Sequence, residues 1–360
     1  MSAIVEDKKK YLGSLLFLAA LIGATFYVFL KGNDLGALMA TVRAVNPVWL
    51  LAAVASMFLY IASEATSIKI VLGSLGRKLP FLRCYKYSFI GFYYSSITPS
   101  ASGGQPMQLY HMKKDGVNLS HSSLTILILI SVYQVVQLGY ALVTFLLRPQ
   151  FVGKNAGGIW VLLLYGVVIN VILLGVILTA VFSQNLARRM VRWGVRVLHK
   201  LHILKDPQKL LDSVDEQISE YRDGAKYLRQ KPGILLGVLL ATIFQLSFTY
   251  LVPYFVYRAF GFTQFGMVEV LAMQAILALA VGSLPLPGAV GASEGGFMTL
   301  FKIFFPTAAL LPAMMLSRGI SFYLMLLISG GVAIFAQLGT IRRAVGPAAK
   351  PSSSRDCCGH

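Results

Sequence analysis

The sequence predicts an all-α polytopic membrane protein, with about six spanning helices and two re-entrant helical hairpins in inverted-topology repeats. Three observations carry this. First, 56% of the 360 residues are hydrophobic and 13% charged, and several apolar runs reach the roughly 20 residues that cross about 30 Å of hydrocarbon. Second, the net charge of +18 is unevenly placed. Of 32 Lys and Arg, 24 fall at 8–10, 77–86, 113–114, 188–231 and 342–355, and only five (Lys31, Arg43, Arg148, Lys154 and Arg258) fall on the alternate loops. That is the positive-inside asymmetry. It puts both termini in the cytoplasm of a cell (plasma or inner) membrane and explains the basic balance without nucleic acid. Third, two apolar regions are broken alike, at Pro99-x-x-x-Gly103 and Pro287-x-x-x-Gly291. The ~10-residue alternating strands of a barrel are absent.

The elements follow in order. A helix over 11–30 exceeds a signal-peptide apolar region and lacks an A-x-A-like cleavage site after it, so it reads as a retained anchor. A helix over 48–72 returns to a basic, cytoplasmic loop at 74–86. The hairpin 85–114 has arms, 87–97 and 105–112, too short to span. Basic residues at both ends make it enter from the cytoplasm, and its break at 98–104 must be buried in protein or line a cavity. A helix over 120–147 completes the first repeat, 1–147. The second repeat, 158–341, holds a helix over 158–182, a cytoplasmic amphipathic linker 183–232, a helix over 233–257, a hairpin 267–305 entered from outside, and a last helix over 308–341. In the linker, Leu186, Met190, Trp193, Val197 and Leu201 recur at helical spacing. Residues 342–360, rich in Pro, Ser and Ala, read as a disordered tail. Three cysteines, Cys84, Cys357 and Cys358, supply no disulfide framework.

Broken segments at corresponding places of inverted halves point to a transporter's binding site. The candidate substrate-binding residues lie there. In the first break they are Thr98, Pro99, Ser100, Ser102, Gly103, Gly104 and Gln105; in the second, Pro287, Gly288, Gly291, Ser293 and Glu294. A restarted helix leaves unpaired N–H groups and partial positive charge at its start, which suits an anion. Self-capping by Ser102, Ser293 or Glu294 is the competing use of those groups. Charges inside apolar runs extend the set. Glu64 and Arg318 are costly at depth and functional by default, with Glu294 or a lipid phosphate as the partner for Arg318. Gln134, Gln137, Gln245 and Gln274 are candidates to line a polar cavity or to hydrogen-bond between helices.

Other chemistries lack support. Gly291-Ala292-Ser293-Glu294-Gly295 matches G-x-S-x-G, but that motif needs a strand-to-helix turn and a His. Here the Ser opens a membrane helix, and His111, His121, His199 and His202 map to the cytoplasmic side. No metal-ligand spacing and no P-loop occur, so neither a metal nor a cofactor is expected and the chain is read as a transporter rather than an enzyme.

The stretches SSITPSASGGQPMQLYHMKKDGVNLSHSSL and GSLPLPGAVGASEGGFMTLF resemble the paired signatures of the flippase-like membrane region of lysylphosphatidylglycerol synthases, over about 11–341. Bifunctional members follow this region with a soluble aminoacyl-transferase domain. This chain runs only about 20 residues past its last helix and is similar to the stand-alone members. The resemblance implies translocation of a membrane phospholipid, or another phosphate-bearing lipid, without its synthesis. Gln105 stands where many relatives carry Glu. A polyprenyl-phosphate carrier (or carrier of its glycosylated form) and a non-transporting partner of a lipid-modifying enzyme stay open, as does a homo-oligomer.

Inverted repeats make a topological prediction. Single cysteines beside Pro99 and Pro287 are expected to label from opposite faces of sealed vesicles, and labelling of both from one face only overturns it.

Overall fold

The computed structural model describes residues 2–31, 35–147, 149–155, 159–182 and 231–345. The expected linker 183–232 lies outside them except for its last two residues. So do residues 346–360 of the expected tail, whose first residues instead continue the last helix. Among the described residues every regular element is helical. The α-helices are α1 (Ser2–Leu30), α2 (Leu35–Arg43), α3 (Pro47–Ser74), α4 (Phe81–Ile97), α5 (Gly104–Lys114), α6 (Leu119–Leu147), α7 (Pro149–Asn155) and α8 (Trp160–Phe182). Beyond the linker come α9 (Pro232–Tyr250), α10 (Val252–Ala259), α11 (Met267–Gly282), α12 (Ala292–Leu300), α13 (Thr307–Arg318) and α14 (Met325–Val345).

Four stretches, Pro47–Ser74, Leu119–Leu147, Pro232–Ala259 and Thr307–Leu338, are long and apolar enough to cross a membrane. Shorter apolar helices lie at Leu16–Leu30, Trp160–Gly175 and Met267–Gly282. The protein is an all-α membrane protein. Of the six expected spans, four have this full length, and those over 11–30 and 158–182 correspond to shorter described apolar helices. Val161, Leu164 and Ile172 of α8 and Leu327, Ile334 and Phe335 of α14 are exposed, as befits surfaces whose surroundings are as apolar as they are.

Local chemistry sets the boundaries. The Asn46 side chain accepts the Val48 N–H at 2.9 Å and Pro47 takes the first helical turn, so α3 starts sharply. The stretch read as one helix over 233–257 is two, α9 and α10, parted at Leu251 just before Pro253, which cannot donate into a continuing ladder. The last span is composite too. α13 passes at Arg318 into a π-helical segment, Gly319–Leu324, before α14 begins.

Both breaks fall where the Pro and Gly residues put them, and their backbones follow one path over four residues before parting at Ser102 (ψ −18°) and Val290 (ψ 139°). Thr98 (φ −110°, ψ 145°) and Leu286 (φ −113°, ψ 133°) are extended. Each precedes a proline, which disfavours the helical region for the residue before it. The 3₁₀ turns Pro99–Ala101 and Pro287–Ala289 follow. Ser100 (φ 51°, ψ 28°) matches Gly288 (φ 58°, ψ 13°), and Ala101 (φ 54°) matches Ala289 (φ 50°). Only Gly288 needs to be glycine for space, because a Cβ there would run into the Phe322 ring. The two turns pack directly against each other.

Around this contact α3 lies along α9, joined by the Ser56 hydroxyl donating to the Phe248 carbonyl at 2.5 Å. The bases of the two hairpins are held differently. At the first, Lys86 of α4 pairs with Asp115 beyond α5 at 2.6 Å, and the Tyr87 hydroxyl donates to the same carboxylate at 2.6 Å. Burial pushes the Asp115 carboxyl up, but the Lys86 and Tyr87 hydrogen bonds outweigh it and hold the group below the usual carboxylate range. At the second, the Phe265 N–H donates to the Tyr257 hydroxyl at 3.0 Å. Phe262, Phe265, Phe304 and Phe305 ring Tyr257 there.

α8 crosses α11 at Gly166, where a Cβ would meet the Leu279 carbonyl. A side chain can be admitted only by parting two backbones. Gly166→Val is expected to destabilise by about 1–3 kcal/mol, as overpacking does, and to lower the thermal midpoint in detergent. An unchanged midpoint would show that the two helices do not depend on this approach.

Candidate functional site

Where the two breaks meet, a cavity of about 250 Å³ opens. Ser95 and Ala101 come from the first hairpin. Tyr133 and Gln137 come from α6, and Gln274 and Ala278 from α11. Gly288 and Ser293 come from the second break and the helix start after it, and Ser317, Arg318 and Ser321 from the last span. The lining is therefore mixed, with hydroxyls, amides and one guanidinium among apolar side chains. Two buried polar atoms, Gln274 Oε1 and Ser317 Oγ, have no hydrogen-bond partner among the described residues. Buried polar atoms are ordinarily paired, so these two stand out in the wall of the cavity.

Arg318 and Glu294 form the charged wall. Nε of Arg318 donates to Glu294 Oε1 at 2.9 Å, with side chains 16% and 2% exposed. Nη2 donates to the Gly288 carbonyl at 3.0 Å, and the guanidinium lies 4.6 Å from the centre of the Phe322 ring. Glu294 is also filled from other sides. Its Oε2 accepts the Gly291 N–H at 2.7 Å, and the Tyr323 hydroxyl donates to Oε1 at 3.2 Å. Glu294 thus caps the start of α12, where its charge complements the helix dipole, while neutralising the arginine. Of the two partners foreseen for Arg318, the structure uses Glu294 and adds a carbonyl freed by the broken helix.

The π-helical segment explains how Tyr323 joins. Residues five apart stand about 140° apart on an α-helix, so Tyr323 would face away from Arg318. Bonding from i to i+5 stacks residues five apart one above the other. Nothing in the apolar pattern of the last span signals this widening, so the sequence does not mark Phe322 and Tyr323 as site residues.

The remaining candidates divide. Gly288, Ser293 and Arg318 line the cavity. Pro99, Ser100 and Ser102 are exposed beside it, Pro287 is buried and Gln105 is half-buried. Thr98 is buried, and its Oγ1 accepts the Gly103 N–H at 2.8 Å. The Ser102 hydroxyl turns back to the Pro99 carbonyl at 2.9 Å. Gly103 and Gly104 face α4. A Cβ on Gly103 would meet Thr98, and one on Gly104 would meet Ser95 and the Gly91 carbonyl. These glycines permit helix contact rather than ligand approach. Gly291 takes φ 85° at the restart of α12. The N–H groups of Gly103 and Gly291 are thus engaged by protein, which leaves Arg318 as the strongest donor facing the cavity. Glu64 does not line it. Its Oε1 accepts from Gln108 Nε2 at 2.7 Å. Gln137 and Gln274 line the cavity as foreseen.

Among the described residues no strand precedes Ser293, which sits at a helix start, and no histidine lines the cavity. Among the described residues, no three of His, Cys, Asp and Glu gather closely enough to hold a metal ion.

The family model of the lysylphosphatidylglycerol synthase TM region matches residues 12–329. A UPF0104 membrane protein of Archaeoglobus fulgidus is 23% identical over 252 residues, which cover 68% of this chain and 74% of the relative.

Breaking a buried ion pair by removing one partner costs about 3–5 kcal/mol, because the other charge is left uncompensated. Glu294→Gln and Arg318→Met are each expected to destabilise on that scale, and the double variant by clearly less than their sum. Thermal unfolding of the four proteins checks this; strict additivity would show that the pair is not coupled.

Proposed function

Since the chain belongs to the family of the lysylphosphatidylglycerol synthase TM region, we propose that it is a lipid flippase or lipid transporter. It moves a phosphate-bearing headgroup between leaflets through the cavity while the acyl chains stay in the bilayer. It works as a multi-pass protein of the cell (plasma or inner) membrane with both termini in the cytoplasm, and the two hairpins enter as inverted repeats. The observation that carries the reading is the cavity between the paired breaks, walled by Arg318.

The geometry suits reversible capture. The cavity, about 250 Å³ and lined in part by hydroxyls, amides and a guanidinium, suits a polar headgroup. An arginine has five N–H donors. Among the described residues, Glu294 and the Gly288 carbonyl take two of them, which leaves donors for phosphate oxygens. Gln274, Ser317, Gln137 and Ser293 add polar groups around the same space. Glu294 keeps the wall from being a bare cation. Passage requires binding favourable enough to enter and weak enough to leave, and an arginine whose charge is balanced by Glu294 but whose remaining donors are open meets both demands. The same headgroup chemistry would serve a polyprenyl phosphate, and mass spectrometry of copurifying lipids separates two-chain lipids from prenyl chains.

The test fills the route. Ala278 lines the cavity from α11, and Ala278→Phe puts a ring into space that the fold leaves empty. Leaflet exchange of a fluorescent phosphatidylglycerol in proteoliposomes is expected in the wild type and is expected to be abolished in a folded Ala278→Phe variant. Normal exchange by that variant removes the cavity as the route. No exchange by the wild type, with copurification of an enzyme, favours a non-transporting membrane partner.

A further inference from the structure

A second polar cluster lies beside the cavity. Glu64 sits on α3 ten residues before its last residue, Ser74, about 15 Å at 1.5 Å per residue, and so lies deep in a spanning helix. Gln108 of α5 donates its amide to Glu64 Oε1 at 2.7 Å and to the Tyr87 carbonyl of α4 at 3.3 Å. Gly91 makes room for that amide, because a Cβ there would collide with Gln108 Nε2. The titratable groups within electrostatic reach of Glu64 are two phenols, Tyr60 on its own helix and Tyr133 on α6. From α9, Gln245 meets Tyr60.

The charge balance of this cluster differs from that of the cavity wall. Arg318 and Glu294 cancel each other. Among the described residues no Lys, Arg or His pairs with Glu64, and Lys69, farther along α3, is exposed. A carboxylate at this depth with neutral neighbours is relieved by taking up a proton. Gln108 serves either form, since its N–H reaches Oε1 and leaves Oε2 to carry the proton. Tyr133 lies within electrostatic reach of Glu64 and lines the cavity.

We infer that Glu64 is a proton-binding site beside the cavity, and that its proton is the one coupled to headgroup movement. The coupling half of this rests on the transport reading above. The proton-binding half stands on the cluster alone.

Two measurements separate them. Infrared spectroscopy of the purified protein in lipid at neutral pH is expected to show a protonated carboxylic-acid band that Glu64→Gln removes. The substituted amide still offers an oxygen to Gln108, so this variant is expected to fold. Absence of that band in the wild type overturns the proton site whatever the transport result. In proteoliposomes carrying fluorescent phosphatidylglycerol, a gradient of one pH unit is expected to shift the steady-state leaflet ratio about tenfold if one proton moves per headgroup. Glu64→Gln is expected to bring that ratio back to its value without a gradient. Wild-type exchange that ignores the gradient overturns the coupling and leaves the transporter reading intact. No wild-type exchange at all overturns both the transporter reading and the coupling, with the infrared band still deciding the proton site.

Discussion

Backbone hydrogen bonding in hydrocarbon is the constraint on which this structure depends. A helix broken in an apolar layer frees N–H and C=O groups that no water will satisfy. The two breaks answer this by packing against each other. Thr98 caps one restart and Glu294 the other, and Arg318 takes up the Gly288 carbonyl. The charged pair is therefore first a repair of the backbone and then a wall of the cavity. One geometry does both, because the carbonyl freed by the break is what orients the guanidinium toward the space between the hairpins.

Much of this was legible in the sequence, for physical reasons. Proline and glycine at Pro99, Pro287, Gly103 and Gly291 mark where a helix cannot continue, and charges in apolar runs stand out because they are costly. Hence the breaks, the cavity and the Arg318–Glu294 pair could be anticipated from residue types. The contacts that complete the site could not. Tyr323 depends on a local change of helical period that leaves the hydrophobic pattern intact. Gln108 depends on the missing Cβ of Gly91, a glycine in the interior of α4 that nothing in the pattern distinguishes from one near a ligand. The roles of Gly103 and Gly104 were legible as close approach, but the approaching partner is α4.

The matching turns at the tips of the two breaks conceal different chemistry. Ser100 holds a left-handed conformation without glycine and stays exposed, whereas Gly288 is wedged under Phe322. One tip offers hydroxyls; the other is tied to the ion pair. Carboxylates follow the same division. Glu294 is met by three donors, from Arg318, Gly291 and Tyr323, while Glu64 is met by an amide. The first arrangement holds a charge permanently and the second leaves it free to change.

The hairpin bases carry this division further. Lys86, Asp115 and Tyr87 hold one base ionically, and the rings around Tyr257 hold the other. The two anchors must then answer to different solution variables. Salt screens the first. Because the Asp115 carboxyl is held below its usual range, its stabilisation is present at neutral pH and is lost as the medium acidifies through that range. The aromatic base ignores both and instead weakens on cooling, as apolar contacts do near water. Cold would loosen one hairpin and acid the other, so a membrane that meets either stress disturbs only one side of the paired breaks at a time.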